Sequence, residues 1–147
     1  MSTSAPPSVN SAPAPAAGWA WPTNARVLVV DDNLINQTVA AKLLQRQGLQ
    51  VALASDGSQA VEKVSQTPFN LILMDLQMPV MDGLQATRTI RTLPNGVHVP
   101  IVALTANVFE DDRRRCVDAG MNDFLAKPVS PNLLYATLAR WMNATPH

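Results

Sequence analysis

The sequence predicts an α/β fold in which a parallel β-sheet of five strands carries five helices on its two faces. Apolar runs such as Val27-Leu28-Val29-Val30 and Leu71-Ile72-Leu73-Met74 lack polar alternation, which is typical of strands covered on both faces. Segments with apolar residues at helical spacing separate these runs, and such alternation predicts right-handed crossovers. Polar residues follow several strands directly, at the edge where open α/β sheets bind ligands.

The first strand runs into Asp31-Asp32 and is followed by the first helix. Ile35, Val39 and Leu43 recur at helical spacing, which predicts that this face packs on the sheet, and Gly48 stops the helix.

The next two units follow the same order. Val51-Ala52-Leu53-Ala54 is a weaker strand, and Asp56 with Gln59 opens a second helix, which ends before Pro68. Leu71-Ile72-Leu73-Met74 is the central strand and ends on Asp75.

The second half completes the alternation. A helix capped by Asp82 is expected to carry Leu84, Thr87 and Ile90, and the strand Ile101-Val102-Ala103-Leu104 follows it. The next helix has acidic residues in its first turn and ends at Ala119-Gly120, before the strand Phe124-Leu125-Ala126. The last helix begins at Ser130-Pro131 and has Leu134, Leu138 and Trp141 on its packed face.

Composition indicates one domain without a nucleic-acid surface. The 147 residues suffice for one domain, and the 11 basic and 11 acidic residues cancel. Cys116 is the single cysteine, which excludes an internal disulfide and suits a reducing compartment. Because neither a membrane span nor a signal peptide is evident, we expect a cytoplasmic domain without membrane contact.

The chain is predicted to divide into a disordered tail or linker over 1–24, one domain over 25–143, and a short tail over 144–147. The first segment has five prolines, six alanines, four serines and no charged side chain, a composition that buries too little apolar surface to fold. Trp19 and Trp21 are expected to pack on the domain edge, because exposed indoles are unfavourable in water.

Polar side chains from four strand ends form the candidate site. Asp31, Asp32 and Asp75 should converge at one edge, where three carboxylates repel unless a cation lies among them. Hard oxygen ligands without histidine or cysteine indicate Mg²⁺. Thr105 and Lys127 add a hydroxyl and a cation, so the set suits transient phosphorylation of Asp75, with Asp31 and Asp32 on the metal. A cap role for Asp75 is less favoured, since Asp82 already caps the next helix.

Four separated motifs resemble those of the receiver domain of two-component response regulators, over about Arg26 to Met142. They are Val30-Asp31-Asp32-Asn33, the run from Met74-Asp75-Leu76-Gln77 to Met81-Asp82-Gly83, Leu104-Thr105-Ala106, and Lys127-Pro128.

The resemblance implies a flavodoxin-like doubly wound sheet of order 2-1-3-4-5 and specific roles for site residues. Asp75 would accept a phosphoryl group from a phosphohistidine, with Mg²⁺ or Mn²⁺ bound by Asp31, Asp32, Asp75 and the main-chain carbonyl of Gln77. Lys127 would bridge to the phosphoryl group. Thr105 and Phe124 would be the switch residues, and Phe124 departs from the tyrosine of chemotaxis-type members. Lys127-Pro128 is expected to be a cis peptide.

Finer features resemble receivers attached to hybrid histidine kinases, so a hybrid kinase is the expected parent chain. The domain itself would be a phosphoacceptor that catalyses its own phosphorylation and dephosphorylation, not an enzyme acting on other substrates. Its expected partner is a histidine kinase or a histidine phosphotransfer domain, and direct binding to DNA is not expected. The alternative is a pseudo-receiver that acts only as a protein-interaction module.

The expected docking surface lies beside the site. It comprises small or apolar residues, with helical spacing favouring a core position for Ile35 and an open position for Leu34: Leu34, Ile35, Ala106, Pro128 and Val129.

Overall fold

The computed structural model describes residues 19–76, 78, 81–106, 110–127, 129–142 and 145–146. Within these ranges, five parallel strands alternate with five helices, as predicted. The strands are β1 Arg26–Val30, β2 Gln50–Ala54, β3 Leu71–Asp75, β4 Ile101–Thr105 and β5 Asp123–Ala126, and the helices are α1 Leu34–Arg46, α2 Gly57–Gln66, α3 Gly83–Ile90, α4 Glu110–Ala119 and α5 Pro131–Met142. A 3₁₀ turn, Pro94–Gly96, precedes β4.

The sheet has the order β2-β1-β3-β4-β5, which confirms the order 2-1-3-4-5. All neighbouring strands are parallel, so their carboxyl ends share one edge. The register places Asp75 beside Leu104 and Thr105 beside Ala126. The predicted site residues therefore meet at one edge of the sheet.

Each face of the sheet has its own apolar core. Alternate side chains of β1 and β3 point to opposite faces, so that Leu28 and Ile72 join one core while Val29 and Leu73 join the other. The first core packs under α2, α3 and α4, and the second packs under α1 and α5. This division is the doubly wound arrangement that the fully apolar strands predicted.

The local signals for helix starts are confirmed at α2 and α3. The Asp56 side chain accepts a hydrogen bond from Gln59 N at 2.8 Å, and the Asp82 side chain accepts one from Gln85 N at 2.8 Å. Gly120, with φ +107°, follows the end of α4, as the glycine signal indicated.

The predicted packing face of α1 is wrong in its first half. Ile35 is 73% exposed and Val39 is 52% exposed. The stripe that faces the core starts instead at Gln37 and continues through Ala41 and Leu44. Because a glutamine and an alanine occupy that stripe, the hydrophobic pattern placed the buried face on the wrong side of the first turns.

Backbone pairing also occurs between residues on either side of the predicted domain, outside 25–143. Trp19–Ala20 pairs antiparallel with Thr145–Pro146 in a two-stranded ribbon. Trp21 is half-buried against the second core, and its Nε1 donates to Gln47 Oε1 at 2.9 Å. This confirms the expected packing of Trp21 on the domain edge.

Side chains at the amino ends of the strands bind backbone groups of neighbouring loops. Arg91 donates to the carbonyl oxygens of Gly96 at 2.8 Å, Val99 at 2.6 Å and Gly120 at 2.7 Å, and to Asn122 Oδ1 at 2.8 Å. Burial lowers the pKa of Arg91 from its ordinary value. This guanidinium joins the end of α3 to the loops that precede β4 and β5.

Within the described ranges, none of the helices is both long enough and apolar enough to cross a membrane.

Candidate functional site

Three carboxylates converge at the carboxyl ends of β1 and β3. Asp31 and Asp75 are buried, at 1% and 4% exposure, and Asp32 is exposed. One oxygen atom from each of the three lies within 4.8 Å of the others. This is the convergence that the strand-end pattern predicted.

Lys127 lies directly against two of these acids. Its Nζ is 3.1 Å from Asp75 Oδ2 and 3.4 Å from Asp31 Oδ2. Its backbone N donates to Thr105 O at 2.9 Å, which ties the end of β5 to the end of β4. The cluster combines three acidic groups with one ammonium group, so its formal charge is two negative charges in excess.

The turn after β1 holds the acid pair in shape. Asn33 N donates to Asp31 Oδ1 at 2.9 Å, and Asn33 Oδ1 accepts from Ile35 N at 2.8 Å and from Asn36 N at 3.1 Å. Asn33 is therefore the N-cap of α1, and α1 begins directly behind the acids.

The exit from β3 requires a glycine. A Cβ atom on Gly83 would collide with the carbonyl oxygen of Asp75 and lie 3.0 Å from Leu76 Cα. Gly83 N also donates to Leu76 O at 3.2 Å. The first turn of α3 therefore packs directly on the backbone that carries Asp75.

The acids open onto a cleft of about 190 Å³. Thr105, which is half-buried, and Ala106, which is exposed, form its wall from β4. The cleft is lined by Asp32, Asn33, Asn36, Asp75, Leu76, Thr105, Ala106 and Lys127.

The two predicted switch residues lie on the same face of the sheet. Phe124 pairs with Ala103 and is two residues from Ala126, the partner of Thr105, so both side chains point toward the face that α4 covers. The guanidinium carbon of Arg113 in α4 lies 4.4 Å from the centroid of the Phe124 ring. Sequence reasoning missed this contact, because a run of three arginines in an acid-led helix resembles a solvated face.

Of the expected docking residues that the structure describes, Leu34, Ile35 and Ala106 are exposed and Val129 is half-buried. Leu34 is 72% exposed and Ile35 is 73% exposed, so the expectation that Ile35 is a core residue is wrong. Ala106 is exposed, and Val129 lines an apolar groove of about 180 Å³ between α1 and α5. Asn36 and Lys127 line both this groove and the acidic cleft.

Three predicted features lie outside the described residues. They are the main-chain carbonyl of Gln77 as a metal ligand and the cis peptide at Lys127-Pro128, together with the docking role of Pro128. All three stay predictions.

The residues present fit a divalent cation. Carboxylate oxygens from Asp31, Asp32 and Asp75 are the hard ligands that Mg²⁺ prefers, and the excess of two negative charges matches its charge. The exposed Asp32 lines the cleft, so an ion held by these acids would be reached from the cleft.

Comparison with known proteins gives a consistent result. The sequence model of the response regulator receiver domain family matches residues 27–139 of this chain. The chain is 42% identical over 115 residues to the signal transduction histidine-protein kinase BarA of Escherichia coli (strain K12), which covers 78% of this chain and 12% of that protein. It therefore spans only about an eighth of that relative's length.

Solved structures give the same assignment. The receiver domain of the sensor histidine kinase PA1611 from Pseudomonas aeruginosa PAO1, crystallised with a magnesium ion in its active site cleft, is 46% identical, with a TM-score of 0.77 over 82% of this chain and 99% of that one. A chain in the co-crystal of the Saccharomyces cerevisiae histidine phosphotransfer protein Ypd1 with the receiver domain of its downstream response regulator Ssk1 is 33% identical, with a TM-score of 0.77 over 84% of this chain and 92% of that one. On the strength of its strand-end acids, its sheet order and these matches, the chain belongs to the response regulator receiver domain family.

Proposed function

We propose that this domain accepts a phosphoryl group from a phosphohistidine onto Asp75 in a reaction that depends on Mg²⁺. The observation that carries the proposal is the position of Asp75, which lies at the end of the central strand within reach of two further acids and of Lys127. A pseudo-receiver would not require this complete set around one cleft.

The reaction is a displacement at phosphorus. A carboxylate oxygen of Asp75 attacks the phosphorus atom, the bond from phosphorus to the histidine nitrogen breaks, and the leaving imidazole nitrogen takes up a proton. A bound Mg²⁺ supplies charge neutralisation for the phosphoryl oxygens and for the acid cluster.

Other residues of the cleft complete the site. The ammonium group of Lys127 contacts Asp75 and Asp31, and from this position it would form an ion pair with a phosphoryl oxygen on Asp75. The Thr105 hydroxyl at the end of β4 offers a donor to another oxygen. Movement of Thr105 toward the phosphoryl group would change the packing around Phe124, because both side chains lie on the face of the sheet that α4 covers.

The proposed phosphodonor is a histidine-bearing helical protein, a histidine kinase or a histidine phosphotransfer domain. Support comes from the co-crystal of a related receiver with such a protein and from the exposed apolar residues beside the cleft. We propose that Leu34, Ile35, Ala106, Pro128 and Val129 form this docking surface.

We also propose that the domain is part of a hybrid histidine kinase, since the kinase relatives are far longer than this chain. The linker over 1–24, the domain over 25–143 and the cytoplasmic location are part of the same proposal. The domain would act in phosphorelay without catalysing a reaction on other substrates.

The test uses the small phosphodonor acetyl phosphate with Mg²⁺, followed by intact mass spectrometry. We expect one phosphoryl group on the wild type, none on Asp75→Asn, and no labelling in excess chelator. Asp118→Asn, which changes an exposed acid on α4, is the matched control and should be labelled like the wild type. Equal labelling of Asp75→Asn, or of the wild type without divalent ions, would contradict the proposal.

A further inference from the structure

Gln37 is a buried polar side chain in the first part of α1, and it contacts the turn after β1 from inside. It is 4% exposed. Its Nε2 donates to Asp31 O at 2.6 Å and to Ala54 O at 3.2 Å, and it lies 3.4 Å from Ser55 Oγ. Each of these partners lies outside α1, so one amide group joins the helix to the ends of β1 and β2.

These contacts hold the peptide units on both sides of Asp31. Asp31 N donates to Ala54 O at 3.1 Å, and Asp31 O accepts from Gln37. The carbonyl group of Asp31 belongs to the peptide unit that leads into Asp32. The backbone of the acid pair is therefore fixed at its first residue by β2 and at its second by α1.

A backbone held in this way opposes the repulsion between the acids. The three carboxylates lie within 4.8 Å of one another. Repulsion between like charges at that separation favours conformations of the turn in which the carboxylates are farther apart. Asp31 also has partners for its side chain in Asn33 N and Lys127 Nζ. The backbone of Asp32 is held on one side by the Gln37 amide, through the peptide unit shared with Asp31, and on the other side by Asn33 N, which donates to Asp31 Oδ1.

We infer that Gln37 is a positioning residue for the Mg²⁺ site, which it preorganises by holding the Asp31–Asp32 peptide. The inference rests on the proposed function, because it concerns the ion that the phosphoryl transfer requires. Without the amide, the carbonyl of Asp31 loses a buried donor and the acid pair becomes mobile. Ion binding then has to order the turn as well as neutralise it, so affinity falls. Groups that orient metal ligands from behind are worth about 10–100-fold in affinity.

The experiment compares two buried glutamines near opposite ends of α1. Gln37→Met keeps the length of the side chain but removes its donor. Gln47→Met likewise keeps the length of the side chain at the other end of α1, where Gln47 is 9% exposed and its Oε1 accepts a hydrogen bond from Trp21 Nε1. Both variants are titrated with Mg²⁺ by calorimetry, and the rate of labelling by acetyl phosphate is measured as a function of Mg²⁺ concentration.

We expect Gln37→Met to raise the Kd for Mg²⁺ by about tenfold or more, while the labelling rate at saturating Mg²⁺ stays near that of the wild type. Gln47→Met should leave the Kd unchanged, even where it lowers Tm as much. An unchanged Kd in Gln37→Met, or an equal rise in both variants, would overturn the inference.

A second variant covers a failure to fold. Gln37→Asn keeps an amide that is one methylene too short to reach Asp31 O, and it should also raise the Kd. A folded Gln37→Asn with the wild-type Kd would overturn the inference. If the wild type itself bound no Mg²⁺, the proposed function would fail and this inference with it, whereas Mg²⁺ binding unaffected by Gln37 would overturn this inference alone.

Discussion

At the carboxyl ends of the strands, three carboxylates lie within 4.8 Å of one another, whereas at the amino ends polar side chains are bonded to the backbone of adjacent loops. We call the first the site edge, formed by Asp31, Asp32, Asp75 and Lys127. We call the second the opposite edge, where Asn70 Oδ1 accepts from Arg26 N at 2.8 Å and Asn122 Oδ1 accepts from Ile101 N at 2.8 Å. The same sheet therefore concentrates like charge at one end and satisfies polar groups at the other.

This difference separates function from stability. Repulsion at the site edge favours the binding of a cation, at a cost to the apo fold. Under the proposed function, that cation would also offset the charge of the incoming phosphoryl group. Bonds at the opposite edge hold the loops that determine how the strands align. Variants at the opposite edge should therefore change stability alone, and variants at the site edge should change ion binding and phosphotransfer.

The largest effect on stability is expected from Arg91→Ala. Its guanidinium bonds carbonyl groups from three loops or helix ends, and their loss should lower the free energy of unfolding by about 3 kcal/mol. Arg88→Ala, which changes an exposed arginine in the last turn of α3, is the control and should have little effect. Urea denaturation measures both. An Arg91→Ala variant as stable as Arg88→Ala would show that the hydrogen bonds of the Arg91 guanidinium contribute nothing to the free energy of unfolding.

At the site edge, Asp32→Asn should weaken Mg²⁺ binding by about tenfold or more, which is about 1.4 kcal/mol. It should also raise Tm in the absence of the ion, because one of three repelling charges is removed. Asp31→Asn should also weaken Mg²⁺ binding, and this variant additionally loses the ion pair with Lys127. Calorimetric titration gives the affinities, and unchanged values in both variants would exclude these acids as ligands.

A third variant, Leu34→Asp, tests the docking surface beside the site edge. We expect it to slow phosphotransfer from a histidine phosphotransfer domain several-fold and to leave labelling by acetyl phosphate nearly intact, since Leu34 is 72% exposed and lies outside the acid cluster. Val117→Asp places the same charge on an equally apolar residue of α4 that is 68% exposed, and should affect neither rate. If both rates fell in Leu34→Asp, the defect would lie in the site or the fold.

The site edge was largely predictable from sequence because its signals are local. An apolar run ending on Asp75 indicates both a buried strand and the position of its last residue, and parallel pairing then brings the strand ends together. The aspartate caps at Asp56 and Asp82 are local for the same reason.

The opposite edge and the inner surface of α1 were not predictable in the same way. Arg91 reaches residues up to 31 positions away, and no periodicity encodes such a contact. Gln37 occupies a core position that a hydrophobic pattern assigns to Ile35 or Val39, because its burial depends on carbonyl groups from β1 and β2. Polar side chains that satisfy distant backbone groups are visible only once the chain has folded.

A smaller effect on stability is expected from Trp21→Phe, which removes one hydrogen bond at the opposite edge and keeps most of the aromatic packing. Gln47 Oε1 is left without the indole donor in a buried position, so the free energy of unfolding should fall by about 1 kcal/mol.

Trp141→Phe is the informative comparison, because it also removes an indole donor, from Asp123 Oδ2. Asp123 keeps Arg140 at 3.5 Å and the N–H of Phe124 at 2.8 Å, so we expect a smaller loss than in Trp21→Phe. Urea denaturation distinguishes the two, and equal losses would mean that an unsatisfied acceptor is not the cause. The Kd for Mg²⁺ should be unchanged in both variants, since neither indole reaches the acidic cleft. A higher Kd for Mg²⁺ in Trp21→Phe would show that α1 transmits strain from Gln47 to Gln37. The two edges would then have to be treated as one coupled unit.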